Sequence, residues 1–400
     1  LSIRFLVFSL VLTGVLLYYI ILKKSIHKEV IKHPAILSFG IMIVFYVFSA
    51  FFNGFGSESI YIILKLFLSY VFVIIITQFV VKEGYKSLLN SFIYFSLFLS
   101  IIYLYQLIVN YAEISSIKVE WRRNNAFDAL AATMGHKNLL SSIQFLMMPV
   151  LVYLFITAKR LFKILSAVGI VLIITTLFQT QTRAVLFALS IFIISSFILN
   201  QRILKKQYIV VSLISILIFL GGGYAIMKYT NRYDAFIKEI SKTVDFSSSP
   251  RYKLYNSSMQ LISEHPLFGV GPGNWKIDVW EYGLYVGSLG RSFAQRPHND
   301  FLWVFSEAGF IAGISYILLF IILLRDSYYL YKTRKKEERI FYSLLFSCFL
   351  GYAFISLVDF PMERFSHNII FFVLASFVIA ARIKEVRNSM PSWFKFLLID

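Results

Sequence analysis

The chain has 400 residues, of which 58% are hydrophobic and only 15% charged, with a mean hydropathy of +0.73; so little polar material cannot cover a water-facing surface, which excludes an ordinary soluble domain. The formal net charge of +18 does not point to a nucleic-acid partner, because Lys and Arg gather in short segments between apolar runs, as a membrane topology signal does. The single cysteine, Cys348, lies inside an apolar run, so no disulfide can form within one chain.

A membrane-crossing helix takes roughly 20 mostly apolar residues. Eleven such runs follow one another, near 3–22, 35–52, 60–81, 88–110, 139–158, 161–178, 184–199, 208–227, 301–324, 340–359 and 367–381. In lipid every backbone polar group must be satisfied internally, so the predicted fold class is all-α, a polytopic membrane helical bundle. The first run has no small-residue cleavage site after it and reads as a span rather than a signal peptide. Every second connection is basic: 23–33, 82–86, 158–163, 200–207, 325–339 and the tail from Arg382. By the positive-inside rule these are cytoplasmic. The alternate connections, 53–59, 111–137, 179–183, 228–298 and 361–366, then face outward, and two of them are too long to be mere connectors. This places the C-terminus inside and the N-terminus outside. Because the chain starts at Leu1 rather than Met, the reading expects a further first helix, giving twelve spans with both ends inside.

The predicted organisation is thus eight spans over 1–227 with an outer loop at 111–137, a large outer loop over 228–298, three spans over 299–382, and an inner tail over 383–400. The end of the tail, "PSWFKFLLID" (391–400), mixes Trp and Phe with Lys395 in the manner of an interfacial amphipathic helix. No repeat of fixed period is present in the sequence, and the reading finds no charged or glycine-broken site near mid-membrane, which a transporter is expected to show.

Polar groups beside membrane helices are functional candidates, because burying them is costly. Arg183 follows "QTQT" (179–182) and opens a run, where an isolated arginine can also simply snorkel. Arg251 lies in "SSSPRYKLYNSSMQ", at the start of an amphipathic helical stretch. In "RSFAQRPHNDFLWVFSEAGFIAG" (291–313), Arg296 and His298 precede a span, and Asn299 or Asp300 is a suitable N-cap for it. Glu307 lies nine positions past His298, about 13 Å deeper by helical rise and near the opposite face, so no direct contact with His298 is expected. Gly309 and Gly313 have the small-xxx-small spacing of close helix packing. "HPLFGVGPGNW" (265–275) lacks the Lys-Ser/Thr of a P-loop, and its glycines read as turn residues. "MGHKNLL" (134–140) puts His136, Lys137 and Asn138 at the start of another span, and no His pairs with Cys or a second His at metal-ligand spacing. The topology sends Arg183, Arg251, His298 and Asn138 to one membrane face. Two arginines and a histidine there suit a lipid-linked pyrophosphate, since a guanidinium matches phosphate oxygens bidentately and imidazole is the side chain suited to proton transfer near neutrality.

The order of these motifs resembles the O-antigen ligase and polymerase superfamily of bacterial envelope glycosyltransferases. The matching pieces are "GHKNLL" (135–140), "TQTRAVLFAL" (180–189), "RYKLYNSSMQLISEHPLFGVGPGNW" (251–275) and "RPHNDFLWVFSEAGFIAG" (296–313), within residues 130 to 380. The resemblance implies a GT-C type fold and an inverting, metal-independent transferase without cofactor. It would move a glycan from undecaprenyl pyrophosphate to an acceptor hydroxyl, such as a lipid A-core sugar, at the periplasmic face of the inner membrane. Arg183 and Arg251 would grip the pyrophosphate, and His298 would act as base or as part of the grip, with Arg296 and Asn138 as further candidates. A polymerase, or a protein O-oligosaccharyltransferase of the same superfamily, fits the motifs as well, since Phe187 stands where ligases frequently have Leu. A transporter for the lipid-linked sugar is the more distant alternative.

Overall fold

The computed structural model describes residues 27–201, 221, 228, 250–282 and 295–389. The predicted runs at 3–22 and 208–227, the tail at 391–400, the expected additional first helix and parts of the 228–298 loop lie outside them. Among the described residues the structure is helical and without strands. The main helices are α1 (Pro34–Asn53), α2 (Ser57–Glu83), α3 (Lys86–Ser116), α4 (Glu120–Ala129), α5 (Lys137–Thr157), α6 (Arg160–Thr180), α7 (Arg183–Asn200), α8 (Pro250–Glu264), α9 (Asp300–Thr333), α10 (Lys336–Val358) and α11 (Phe365–Ser389). Eight of them, all but α4, α8 and α11, are long and apolar enough to cross a membrane. The other nine predicted runs therefore all form helices. The one at 367–381, within α11, is not among those eight.

Two connections differ from their sequence reading. The loop at 111–137 begins inside α3 and contains α4. The connection at 325–339 is mostly helix, since α9 continues to Thr333. The sequence there is polar, yet its carboxylate is held inside the protein: Asp326 is buried and lies 3.4 Å from His33 Nε2, 2.9 Å from Arg325 Nη2 and 3.4 Å from Arg382 Nε. A helix that keeps its ion pairs continues past the end of its apolar stripe.

The chain divides into two compact units. The first takes the described parts of Leu1–Tyr85, Lys253–Leu330 and Met362–Asp400. In it α11 packs along α2, and Phe39 of α1 meets Phe372 of α11 at a ring-centroid distance of 4.7 Å. Helix α1 starts with Pro34 at its first position and His33 as cap, whose Nδ1 accepts the Ala35 amide at 3.3 Å. The second unit takes the described parts of Lys86–Tyr252 and Tyr331–Pro361. Its centre is α5, apolar nearly all round and packed by α3, α6, α7 and α10.

Helix α9 is broken at Gly309, whose φ of 79° and ψ of −175° are not helical. The break removes helical partners from nearby backbone groups, which a membrane interior does not tolerate. The segment 265–275 replaces them. The Val270 amide donates to Ser306 O at 2.9 Å, the Gly271 amide to Glu307 O at 3.1 Å, and the Phe310 amide to Pro266 O at 2.8 Å. Ser49 Oγ donates to Glu307 O at 2.5 Å, and Asn53 Nδ2 to Gly269 O at 3.1 Å. The Gly309 and Gly313 reading is corrected here: Gly309 lets a loop, not a second helix, approach, and Gly313 faces Phe305 of its own helix. A Cβ at Gly309 would press on the Leu267 carbonyl in a conformation that L residues rarely adopt. Gly309→Ala is therefore expected to destabilise the protein by at least about 1–3 kcal/mol, read as a lowered midpoint of thermal unfolding in detergent.

Candidate active site

His298 precedes α9 with a φ of 55°, one of few non-glycine residues in the left-handed region. Such backbone persists where its surroundings over-determine it, and here they do. Tyr255 Oη, from α8, donates to the His298 carbonyl at 2.9 Å. Asn299 Oδ1 accepts the Leu302 amide at 3.0 Å, so Asn299 is the residue that caps α9. Asp300 Oδ2 accepts the Met362 amide at 3.1 Å. His298 and Asp300 are thus tied to other segments of the same unit, while His298 is half-buried.

Arg296 is more engaged than its sequence position suggests. It is buried, and its Nη2 lies 3.3 Å from Glu58 Oε1 and 3.7 Å from Glu363 Oε1. Its guanidinium carbon stands 4.7 Å from the centroid of the Trp303 ring, with Lys65 Nζ 5.7 Å from the same centroid. Lys65 also donates to the Glu363 carbonyl at 3.0 Å, and Lys276 pairs with Glu58. Trp275 is fully buried and its indole N–H donates to Ser258 Oγ of α8 at 3.0 Å. Tyr282 Oη donates to Glu264 Oε2 at 2.6 Å, and that bond, more than burial, pushes the phenol up to about 12.

The remaining candidates belong to the second unit. Asn138 lies in the first turn of α5, where His136 Nδ1 accepts its amide at 3.1 Å. Its side-chain Nδ2 donates to Asp359 Oδ2 at 3.3 Å, and its Oδ1 accepts from Thr182 Oγ1 at 3.4 Å. Ser141 Oγ joins them, 3.1 Å from Thr182 Oγ1 and 2.8 Å from Thr180 Oγ1. Thr182 occupies the N-cap position of α7 without capping it, its hydroxyl being turned to Asn138. Arg183 is the next residue and the first of α7. Arg251 is the second residue of α8. Both are half-buried.

The structure thus brings His298 and Arg296 together in one unit and links Asn138 to the residue before Arg183 in the other. The sequence reading missed Asp359, Thr182, Tyr255, Lys65 and Trp303. Lys65 and Asp359 carried a signal, each being a lone charge in or at the end of an apolar run.

By fold, this is an all-α polytopic membrane protein. Residues 168–317 match the family model described as O-antigen ligase. The chain is also 27% identical over 235 residues to the O-antigen ligase of Salmonella typhimurium, an alignment covering 54% of each chain. The match spans about half the length of that relative. Over these residues the chain is thus similar to O-antigen ligases, members of the superfamily that the four motifs resemble.

Proposed function

We propose that the protein is an O-antigen ligase-type glycosyltransferase, moving a glycan from undecaprenyl pyrophosphate to an acceptor hydroxyl, such as a lipid A-core sugar, at the periplasmic face of the inner membrane. The observation that carries this reading is where its arginines sit. Arg183 is the first residue of α7 and Arg251 the second of α8. A helix start carries partial positive charge, so a cation there is unfavourable for the helix alone. It becomes favourable when an anion joins it, and helix starts are good phosphate sites. The Thr182 side chain is turned to Asn138 and does not cap α7.

In this reading the pyrophosphate gains charge as the bond to the sugar's anomeric carbon breaks, and Arg183 and Arg251 stabilise that charge most in the transition state. His298 takes the proton of the acceptor hydroxyl as the new glycosidic bond forms, or adds to the grip on the pyrophosphate. One-step displacement inverts the anomeric centre. Asn138, hydrogen-bonded between Asp359 and Thr182, sets the position of the α7 start.

A polymerase that extends a lipid-linked glycan uses the same chemistry on a different acceptor. A deletion strain separates the two. A ligase predicts lipid A-core lacking all attached polymer, with polymer still present on the lipid carrier, by gel analysis of the envelope glycans. Core that retains single repeat units and loses only chain length would assign the polymerase role instead.

A further inference from the structure

Arg296 counts among the candidate ligands of the pyrophosphate, yet its guanidinium is already in use. Nη1 donates to the Gln295 carbonyl at 2.6 Å, and Nη2 lies 3.3 Å from Glu58 Oε1 and 3.7 Å from Glu363 Oε1. The guanidinium carbon stands 4.7 Å from the Trp303 ring centroid, and Nε is sealed from solvent. A phosphate brought to this side chain would meet two carboxylates, and like charges repel.

Each carboxylate is itself anchored. Glu58 is the second residue of α2, where an acidic side chain already suits the helix start. It also pairs with Lys276, and a Cβ at Gly273 would come within 2.8 Å of its Cγ, so the segment 272–276 packs against it. Ser59 Oγ, next in α2, donates to the Pro272 carbonyl at 2.8 Å. Glu363 is held from the same helix, since Lys65 Nζ donates to its backbone carbonyl at 3.0 Å. The Glu58 and Glu363 side chains are 35% and 23% exposed, so water weakens each pair and neither adds much stability alone. Two carboxylates and a ring acting on one planar group fix its place more than they strengthen the fold. The chain passes that place on to His298. Pro297 lies between; its ring locks its own φ and restricts the residue before it to extended backbone. Few backbone rotations then separate Arg296 from the left-handed His298.

We propose that Glu58 and Glu363 are positioning residues: together they hold the Arg296 guanidinium on Trp303, and through Arg296 and Pro297 they set the place of the His298 imidazole. Arg296 belongs to this anchor and does not bind the pyrophosphate. The effect on transfer rests on the reading of His298 above, whereas the anchor itself does not.

The test uses the full chain in proteoliposomes, with E58Q/E363Q, R296Q and the triple variant, supplied with glycan on undecaprenyl pyrophosphate at varied concentration. E58Q/E363Q keeps the shape of both side chains and removes their charge. It is expected to lose about 10- to 10²-fold in kcat, the scale on which a small misplacement acts, with donor KM unchanged. R296Q should lose as much, and the triple variant no more than R296Q, because all three changes undo one anchor. Hydrogen exchange of the peptide spanning 295–303, measured without donor, should be faster in each variant. Unchanged exchange in E58Q/E363Q would overturn the proposal. So would full kcat in E58Q/E363Q, losses that multiply in the triple variant, or a raised donor KM as the main effect of R296Q, which would assign Arg296 to the donor instead. Should the double variant fail to insert, E58Q and E363Q singly carry the same comparison. If His298→Ala transferred glycan normally, the catalytic assignment would fail, and the exchange result would still decide the anchor.

Discussion

Replacing His298 with alanine is expected to lower glycan transfer by about 10²–10⁴-fold, the usual contribution of a positioned general base, with normal membrane abundance. The fold gives a way to separate this effect from a backbone effect. His298 is in the left-handed region at φ 55°, which alanine tolerates poorly and asparagine more readily. His298→Asn therefore keeps the turn and removes the base. Equal loss in both variants marks the imidazole as the cause. Recovery in His298→Asn alone would mean that the backbone conformation, held by Tyr255 and Asn299, is what the site needs. Transfer at the wild-type rate in both would remove His298 from the chemistry.

The second large effect is expected at the arginines. Arg183→Lys and Arg251→Lys keep a positive charge but exchange a planar fork for a point charge, and at a bidentate phosphate site that is not conservative. Each variant should lose about 10- to 10²-fold in kcat/KM, somewhat less than the loss of an entire stabilising donor. Because the charge on pyrophosphate grows during bond cleavage, most of the loss should fall on kcat and the smaller part on KM. Steady-state kinetics with varied donor distinguishes this from snorkelling, for which both lysine variants would retain full activity.

The helical nature of this chain was legible because a membrane leaves few choices. An apolar run of sufficient length must be a helix, and the described runs from 35–52 to 367–381 all are. What escaped sequence reading depends on contacts distant in the chain. Gly309 and Gly313 have a spacing that reads as helix packing, yet Gly309 breaks α9 for a segment some forty residues earlier to dock. The glycines of 265–275 read as turns, and they are, but the amides of Val270 and Gly271 and the carbonyl of Pro266 also complete the broken helix. Helix α9 runs beyond its apolar stretch because Asp326 finds His33 and Arg382, partners that spacing within 301–339 does not show.

For the candidate site, motifs single out side chains suited to a ligand, and four quoted segments led to the proposed residues His298, Arg183, Arg251 and Asn138. They do not identify supporting residues, because Trp303 looks like any apolar residue of a span until Arg296 and Lys65 are seen over its ring. Lys65 was the exception that charge alone could have exposed, a single cation in the run at 60–81.

The central claim is that this protein breaks a sugar–pyrophosphate bond and makes a glycosidic one. The most direct measurement supplies the purified wild-type protein, in proteoliposomes, with a glycan on undecaprenyl pyrophosphate and a lipid A-core acceptor. The account predicts glycosylated acceptor and released undecaprenyl pyrophosphate in equal amounts, both lost in His298→Ala. Passage of intact donor across the bilayer with no new glycosidic bond, or transfer undiminished by His298→Ala, would contradict it.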